Sequence, residues 1–168
     1  MVKGYYYLIA SLPFLSLEKE LRISKEQFLL ECEKWLSEKD MDILLNSVVF
    51  EDDIDFEKDD MLSIWKAFDA FLRKQLARYR ENTKEGLKSS VTDKTIKEIV
   101  EQQDPLKKEK VLAEKKLEIL DDLEQGHVFD LEAVIIYYLK LVIIERIKKF
   151  DEEKGLQVFE TLCEVKYE

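Results

Sequence analysis

Apolar residues recur every three or four positions through most of this chain, which is the spacing of a helix with one buried face. The pattern is clearest from residue 61 to about residue 82, where it predicts a long amphipathic helix of about six turns. The inward positions predicted for this helix are Met61, Ile64, Trp65, Phe68, Phe71, Leu72, Leu76 and Tyr79.

Two shorter helices are predicted before it. Ser24 followed three positions later by Gln27 forms a capping-box pattern, which indicates a helix start. A second short helix is expected from residue 37 to about residue 49. The inward residues predicted for the two helices are Phe28, Cys32, Trp35 and Leu36, then Met41, Leu44, Leu45 and Val48. The opening run, residues 5–12, is the least determined segment.

The second half of the chain contains clear signals for helix starts and ends. Thr92-Asp93 opens a short helix, and Asp104 followed by Pro105 places a cap before a proline in the first turn of a helix. Gly126 fits the left-handed position after that helix, and Asp130 is expected to cap the next one.

Residues 131–144 are apolar almost all the way round, so they predict a central helix that is contacted from several sides. A strand is the competing interpretation because β-branched residues are dense here. The uninterrupted continuation to Phe150 favours a helix, and the run is too short to cross a bilayer. The predicted fold class is all-α, a helical bundle of about six or seven helices.

The predicted domain organisation follows from an acidic stretch. An N-terminal helical part covers residues 1–50, an acidic connector covers 51–60, and a main helical bundle covers 61–168; one continuous domain is the alternative. The last acidic residues of the connector also suit the N-terminus of the helix that follows. A final amphipathic turn is expected around Leu156, Phe159 and Leu162.

The composition of the chain argues against several classes of function. The 168 residues include 27 Lys and Arg against 37 Asp and Glu, and a net charge of −10 disfavours nucleic acid as a partner. With 4 glycines and no catalytic or zinc-binding motif, the chain is predicted to be no enzyme and to need no cofactor or metal. His127 is expected to satisfy backbone groups at a helix junction. Cys32 and Cys163 are expected to be buried thiols in a reducing cytoplasm.

The helix that starts at Pro105 has an unusual charge pattern. Lysines crowd its positive end and acids its negative end, and each exposed charge opposes the helix dipole by about 0.3–1 kcal/mol. Either neighbouring helices or a partner protein must supply the counter-charges, and the sequence leaves both open. The candidate partner-binding residues are Lys107, Lys108, Lys110, Glu118, Asp121 and Asp122.

Several stretches of the chain resemble an uncharacterised bacterial family encoded beside subunits of V/A-type rotary ATPases. That family occupies the place of the ATPase C subunit, a longer protein built from three similar helical units. The resemblance covers both ends of the chain and most of its second half. It is carried by YYYLIASLP at residues 5–13, DPL at 104–106, LEQGHVFDL at 123–131, YLKL at 138–141 and Glu145-Arg146.

The resemblance implies a non-catalytic structural component of the ATPase, an adaptor like the C subunit between the central stalk and the membrane rotor ring. Its partners would be those ATPase subunits, and its location would be cytoplasmic, including a peripheral position on the inner face of the cell membrane without direct insertion. The alternative is a general acidic adaptor unrelated to ATPases, which binds a basic partner through residues 51–60. A small acidic hydrolase is a third hypothesis, which would need carboxylates gathered in a pocket.

Overall fold

The computed structural model describes residues 5–48, 60–85 and 93–150, and over these residues the chain forms seven helices and no strand. The all-α prediction is therefore confirmed. The helices are α1 (Tyr5–Ser11), α2 (Lys25–Trp35), α3 (Glu38–Asn46), α4 (Met61–Lys84), α5 (Lys94–Val100), α6 (Pro105–Glu124) and α7 (Leu131–Lys148).

The helix starts follow the predicted local signals. Ser24 Oγ accepts the Gln27 N–H at 3.2 Å and the Ser24 N–H donates to Gln27 Oε1 at 3.0 Å, so the capping box is present. Gly126 adopts a φ of 100°, the left-handed conformation expected there. The predicted caps whose side chains accept a backbone N–H are Asp93, Asp104 and Asp130, joined by Asp60 at the start of α4. Residues 51–59 of the acidic connector and the predicted turn near Phe159 lie outside the described residues.

Helix α7 is the central element, as predicted. It packs against α6, α2, α1 and α3, and half of its residues are buried. None of the described helices has the length and apolarity needed to cross a membrane. The buried residues of α7 are Ala133, Val134, Ile135, Ile136, Tyr138, Leu139, Leu141, Ile144 and Ile147.

Two apolar clusters hold the helices together. The larger one surrounds α7 and includes residues from the N-terminal helices, such as Phe28 and Leu44, together with Trp65 of α4. The smaller one joins α4, α5 and α6 through Leu72, Ile96 and Ile99. Helix α4 thus contributes its first half to one cluster and its second half to the other. The predicted boundaries between residues 1–50, 51–60 and 61–168 stay a prediction.

Some predicted core positions are exposed instead. Trp35, Leu45, Ile64 and Phe71 each have between 40% and 47% of their surface accessible, so their assignment to the core was wrong. Each lies at the margin of its predicted helix face, and the neighbouring helices cover only the centre of that face. The opposite error concerns Asp69 of α4. This charged residue was not predicted to lie in the core, yet it is only 1% exposed.

Cys32 is a buried thiol, as expected, while Cys163 lies outside the described residues. Burial raises the pKa of Cys32 from 9.0 to about 12, because a thiolate would lose its hydration there. The unfolded chain releases this proton near its ordinary pKa, whereas the folded chain keeps it. Stabilisation from the neutral thiol is therefore complete below pH 9 and is lost as the pH rises from about 9 to about 12.

We expect the free energy of unfolding to fall by about 1 kcal/mol between pH 8 and pH 10, measured by urea denaturation in a Cys163→Ser background. Adding Cys32→Ala should remove this part of the pH dependence, although it lowers stability at every pH by leaving a small cavity. Identical pH slopes with and without Cys32 would show that the thiol is hydrated in the folded protein.

Candidate functional site

The acidic residues predicted as partner contacts are partly neutralised inside the fold. Asp121 Oδ1 lies 2.6 Å from Lys140 Nζ of α7, and the side chain of this lysine is only 12% exposed. Glu118 is paired with Lys115 one turn earlier on the same helix, at 3.1 Å. Asp122 is exposed and forms no ion pair with the described residues. A neighbouring helix therefore supplies the counter-charge at the negative end of α6.

The lysines predicted as partner contacts differ from these acidic residues in their pairing. Lys107 and Lys110 are exposed, and Lys108 is half-buried. Within the described ranges, none of the three forms an ion pair. They lie in the first two turns of α6, where backbone N–H groups already give positive potential. Their charges are uncompensated by the described part of the fold, and their role as partner contacts stays a prediction.

A surface of exposed aromatic rings is the most distinctive feature of the molecule. We define the aromatic surface as Tyr6, Tyr7, Trp35 and Phe129, with the adjoining Val128. The four rings are 50%, 62%, 43% and 47% exposed, in that order. They come from α1, from the end of α2 and from the loop between α6 and α7, so three separate segments of the chain meet at this surface.

The rings of this surface contact one another. The Tyr6 centroid lies 4.8 Å from that of Phe129 and 5.5 Å from that of Tyr7, with the Tyr6 and Tyr7 rings edge to face. The Tyr7 ring stacks on Trp35 at 5.6 Å with an angle of 21° between their planes. These are favourable geometries for aromatic pairs. The rings therefore form one continuous strip.

The area of the strip is large for a chain of this size. An aromatic side chain presents roughly 200 Å², so four half-exposed rings offer roughly 400 Å² of contact area. Contiguous apolar patches of this size on a monomer often mark interaction sites. A standard protein interface buries about 800 Å² on each partner, so the strip could form about half of one.

Local structure explains why the tyrosines point outward. Consecutive residues of an α-helix are about 100° apart, so Tyr5, Tyr6 and Tyr7 cannot all face the core. Tyr5 and Leu8 are buried, and the Tyr5 hydroxyl donates to Asp40 Oδ2 at 2.8 Å. Burying those two positions turns the intervening Tyr6 and Tyr7 towards solvent. Three adjacent aromatic residues at the start of a helix were the signal that could have predicted an exposed ring.

A buried ion pair between α4 and α6 was also missed by sequence reasoning. Asp69 Oδ1 lies 2.5 Å from Lys116 Nζ, and Asp69 Oδ2 lies 2.8 Å from Arg73 Nε. Asp69 Oδ1 has no hydrogen bond of good geometry among the described residues. The attraction of opposite charges depends on distance rather than on lone-pair alignment, so the ion pair holds α4 against α6.

Asp69 and Lys116 also border a cavity of about 160 Å³ between α4, α6 and α7. Its other walls are mostly apolar, and the buried Trp65 Nε1 has no hydrogen-bond partner in the described part of the chain. At its edge Arg146 is paired with Glu109 at 3.1 Å. Because its carboxylates, Asp69 and Glu109, are each paired with a cation, the cavity does not present an isolated acid or base.

One group of side chains has the spacing of a metal site. The potential ligand atoms of His127, Asp130 and Glu132 all lie within 4.8 Å of one another. However, Asp130 Oδ1 accepts the Ala133 N–H at 2.9 Å, and Asp130 Oδ2 lies 2.8 Å from His127 Nδ1. Asp130 therefore caps α7 and orients His127.

These observations describe an all-helical protein whose clearest candidate site is an exposed aromatic surface suited to protein contacts. Residues 86–166, just under half of the chain, match a family model described as a protein of unknown function (DUF2764). The matched range includes α5, α6 and α7. No curated protein and no solved structure matches the chain.

Proposed function

We propose that this chain is a non-catalytic structural component of a V/A-type rotary ATPase, an adaptor like the C subunit between the central stalk and the membrane rotor ring. The observation that carries the proposal is the origin of the aromatic surface. Tyr6 and Tyr7 come from the first stretch that resembles the ATPase-associated family, and Phe129 comes from a second stretch. The fold brings the two stretches together, with the Tyr6 and Phe129 rings 4.8 Å apart.

The architecture supports a mechanical role. An adaptor that transmits torque needs a stiff body and a broad interface rather than a small pocket. Helix α4 has 24 residues and α6 has 20, and both pack against other helices. In such a complex the protein would be cytoplasmic and peripheral to the membrane through its partner subunits, without inserting into the bilayer.

Co-purification tests this assignment. The full chain would be expressed with an affinity tag in its own cell, membranes would be solubilised gently, and co-purifying proteins would be identified by mass. We expect the catalytic and stalk subunits of the ATPase in a fixed ratio. A folded bait that recovers none of these subunits would remove the ATPase from the proposal and favour the unrelated adaptor.

The lysines at the start of α6 allow a more local test of the proposal. Replacing Lys107, Lys108 and Lys110 together by Glu should weaken co-assembly while the fold is kept. Glutamates near this helix N-terminus should stabilise α6 by about 0.3–1 kcal/mol each rather than unfold it, because they complement the dipole. Thermal unfolding and recovery of ATPase subunits would be measured side by side.

A charge-matched control separates a local contact from the change in net charge. Replacing Lys74, Arg78 and Arg80 by Glu makes the same change on the exposed side of α4. We expect this control to keep assembly close to that of the parent protein. Equal recovery of ATPase subunits by both variants and the parent would remove the α6 lysines from the interface.

A further inference from the structure

We propose that the aromatic surface binds a basic segment of a partner protein, whose Lys and Arg side chains lie over the exposed rings. The inference rests on the proposed function, because it specifies the partner chemistry of the surface assigned to the adaptor. The rings themselves and the charges around them both support it.

Carboxylates lie next to Tyr5 and next to Phe129. Asp40 accepts the hydroxyl of Tyr5, the residue that precedes the two exposed tyrosines. Asp130 follows Phe129 directly, and its side chain is 40% exposed. Burial raises the pKa of Tyr5 most, and the negative charges of Asp40, Glu132 and Asp130 raise it further. Lys34, which precedes Trp35 in the chain, is paired with Glu31 at 2.6 Å.

Exposed rings and nearby carboxylates favour the same ligand chemistry. The face of an aromatic ring is negative and attracts ammonium and guanidinium groups. Arginine also stacks its planar guanidinium on aromatic rings and pairs with carboxylates. A segment that carries several cations and some apolar groups therefore satisfies both features of this surface at once.

The charge of the chain disfavours the competing occupants. A second copy would bring its own net charge of −10 and the same carboxylates against this face. An anionic lipid surface would meet the same repulsion, although aromatic rings often lie at membrane interfaces. A basic protein segment gains from the negative potential that opposes both of these.

Site-specific cross-linking in the living cell tests the inference. The photoreactive amino acid benzoylphenylalanine would replace Tyr7 in the full chain, and the cross-linked peptides would be sequenced. Phe71 provides the matched control position, since it is an aromatic residue of α4 with 41% exposure. We expect cross-links from position 7 to peptides with a net positive charge, at several times the yield obtained from position 71.

A charge variant adds a second readout. We expect Glu132→Gln to lower the cross-linking yield at position 7 several-fold, while Glu81→Gln on the exposed side of α4 leaves it unchanged. Asp130 is kept in both variants because it caps α7. Raising the ionic strength of permeabilised cells should lower the yield in the same direction as Glu132→Gln.

The outcomes distinguish this inference from the proposed function. Basic peptides from ATPase subunits would support both, and basic peptides from another protein would support the inference while removing the ATPase. Acidic or uncharged peptides from ATPase subunits would overturn the inference alone. Cross-links to a second copy or to lipid, or no excess yield over position 71, would also overturn it.

Discussion

Replacing Phe28 by alanine is expected to lower the free energy of unfolding by about 4 kcal/mol, because the substitution empties a large site in the core. The Phe28 side chain is fully buried in the larger apolar cluster. Its ring stacks on Tyr137 at 5.3 Å and on Tyr138 at 5.5 Å, so it attaches α2 to the central helix α7. Alanine would remove the buried apolar area, leave a cavity and end both ring contacts.

Urea denaturation followed by far-ultraviolet circular dichroism measures this effect. Phe14→Ala provides the control, because that ring is 82% exposed and its removal should change stability by less than about 0.5 kcal/mol. Phe28→Leu should lose about 1.5 kcal/mol, since it keeps most of the volume but not the stacking. If Phe28→Ala is no more costly than Phe14→Ala, then α2 does not pack on α7 through this ring.

Lys116→Met is the second change with a large expected effect, a loss of about 3 kcal/mol. It removes the nearer cation from Asp69, a residue that is only 1% exposed to bulk solvent. Arg73 remains on the other carboxylate oxygen, but its own side chain is 53% exposed and its attraction is weakened by solvent. A buried charge without its partner costs more than a missing apolar contact.

The matched control is Lys110→Met, which makes the same substitution at an exposed position of α6 and should stay within about 0.5 kcal/mol of the parent. The double variant Asp69→Leu with Lys116→Met should recover most of the loss, because two apolar side chains of similar volume can replace the pair. A double-mutant cycle of unfolding free energies gives the coupling. A Lys116→Met variant as stable as Lys110→Met would show that water reaches Asp69.

The elements of the fold could be predicted because their signals are local. A helix start depends on a cap within three residues, and Ser24, Asp93, Asp104 and Asp130 all cap the helices that were expected to follow them. The central position of α7 also follows from its own residues, since a helix that is apolar all round must be covered on every side.

The faces of the helices were predicted less well. Hydrophobicity gives the direction of an apolar face, but its buried width depends on how many neighbours pack against it. Trp35 and Phe71 lie at the edges of such faces and remain exposed. Asp69 interrupts an apolar face and was not expected in the interior. Its burial is possible because α6 places Lys116 beside it, far along the chain from α4.

The candidate site was the part of the structure that the sequence pattern predicted least well. The charges of α6 were visible, yet Asp121 turned out to be paired with Lys140 of the neighbouring helix. The aromatic surface was not predicted, because Tyr7, Trp35 and Phe129 are far apart in sequence and each could equally have been a core residue.

Local signals were sufficient to predict that this protein is all-helical, where most of its helices begin and which helix lies at the centre. These properties depend on backbone capping and on the apolar periodicity of single segments, and both act over a few residues. The exposure of the rings and the pairing of the charges could be seen in the folded structure but not in the sequence. Exposure and pairing depend on residues that other helices bring within a few ångströms, and that arrangement is set by packing of the whole chain.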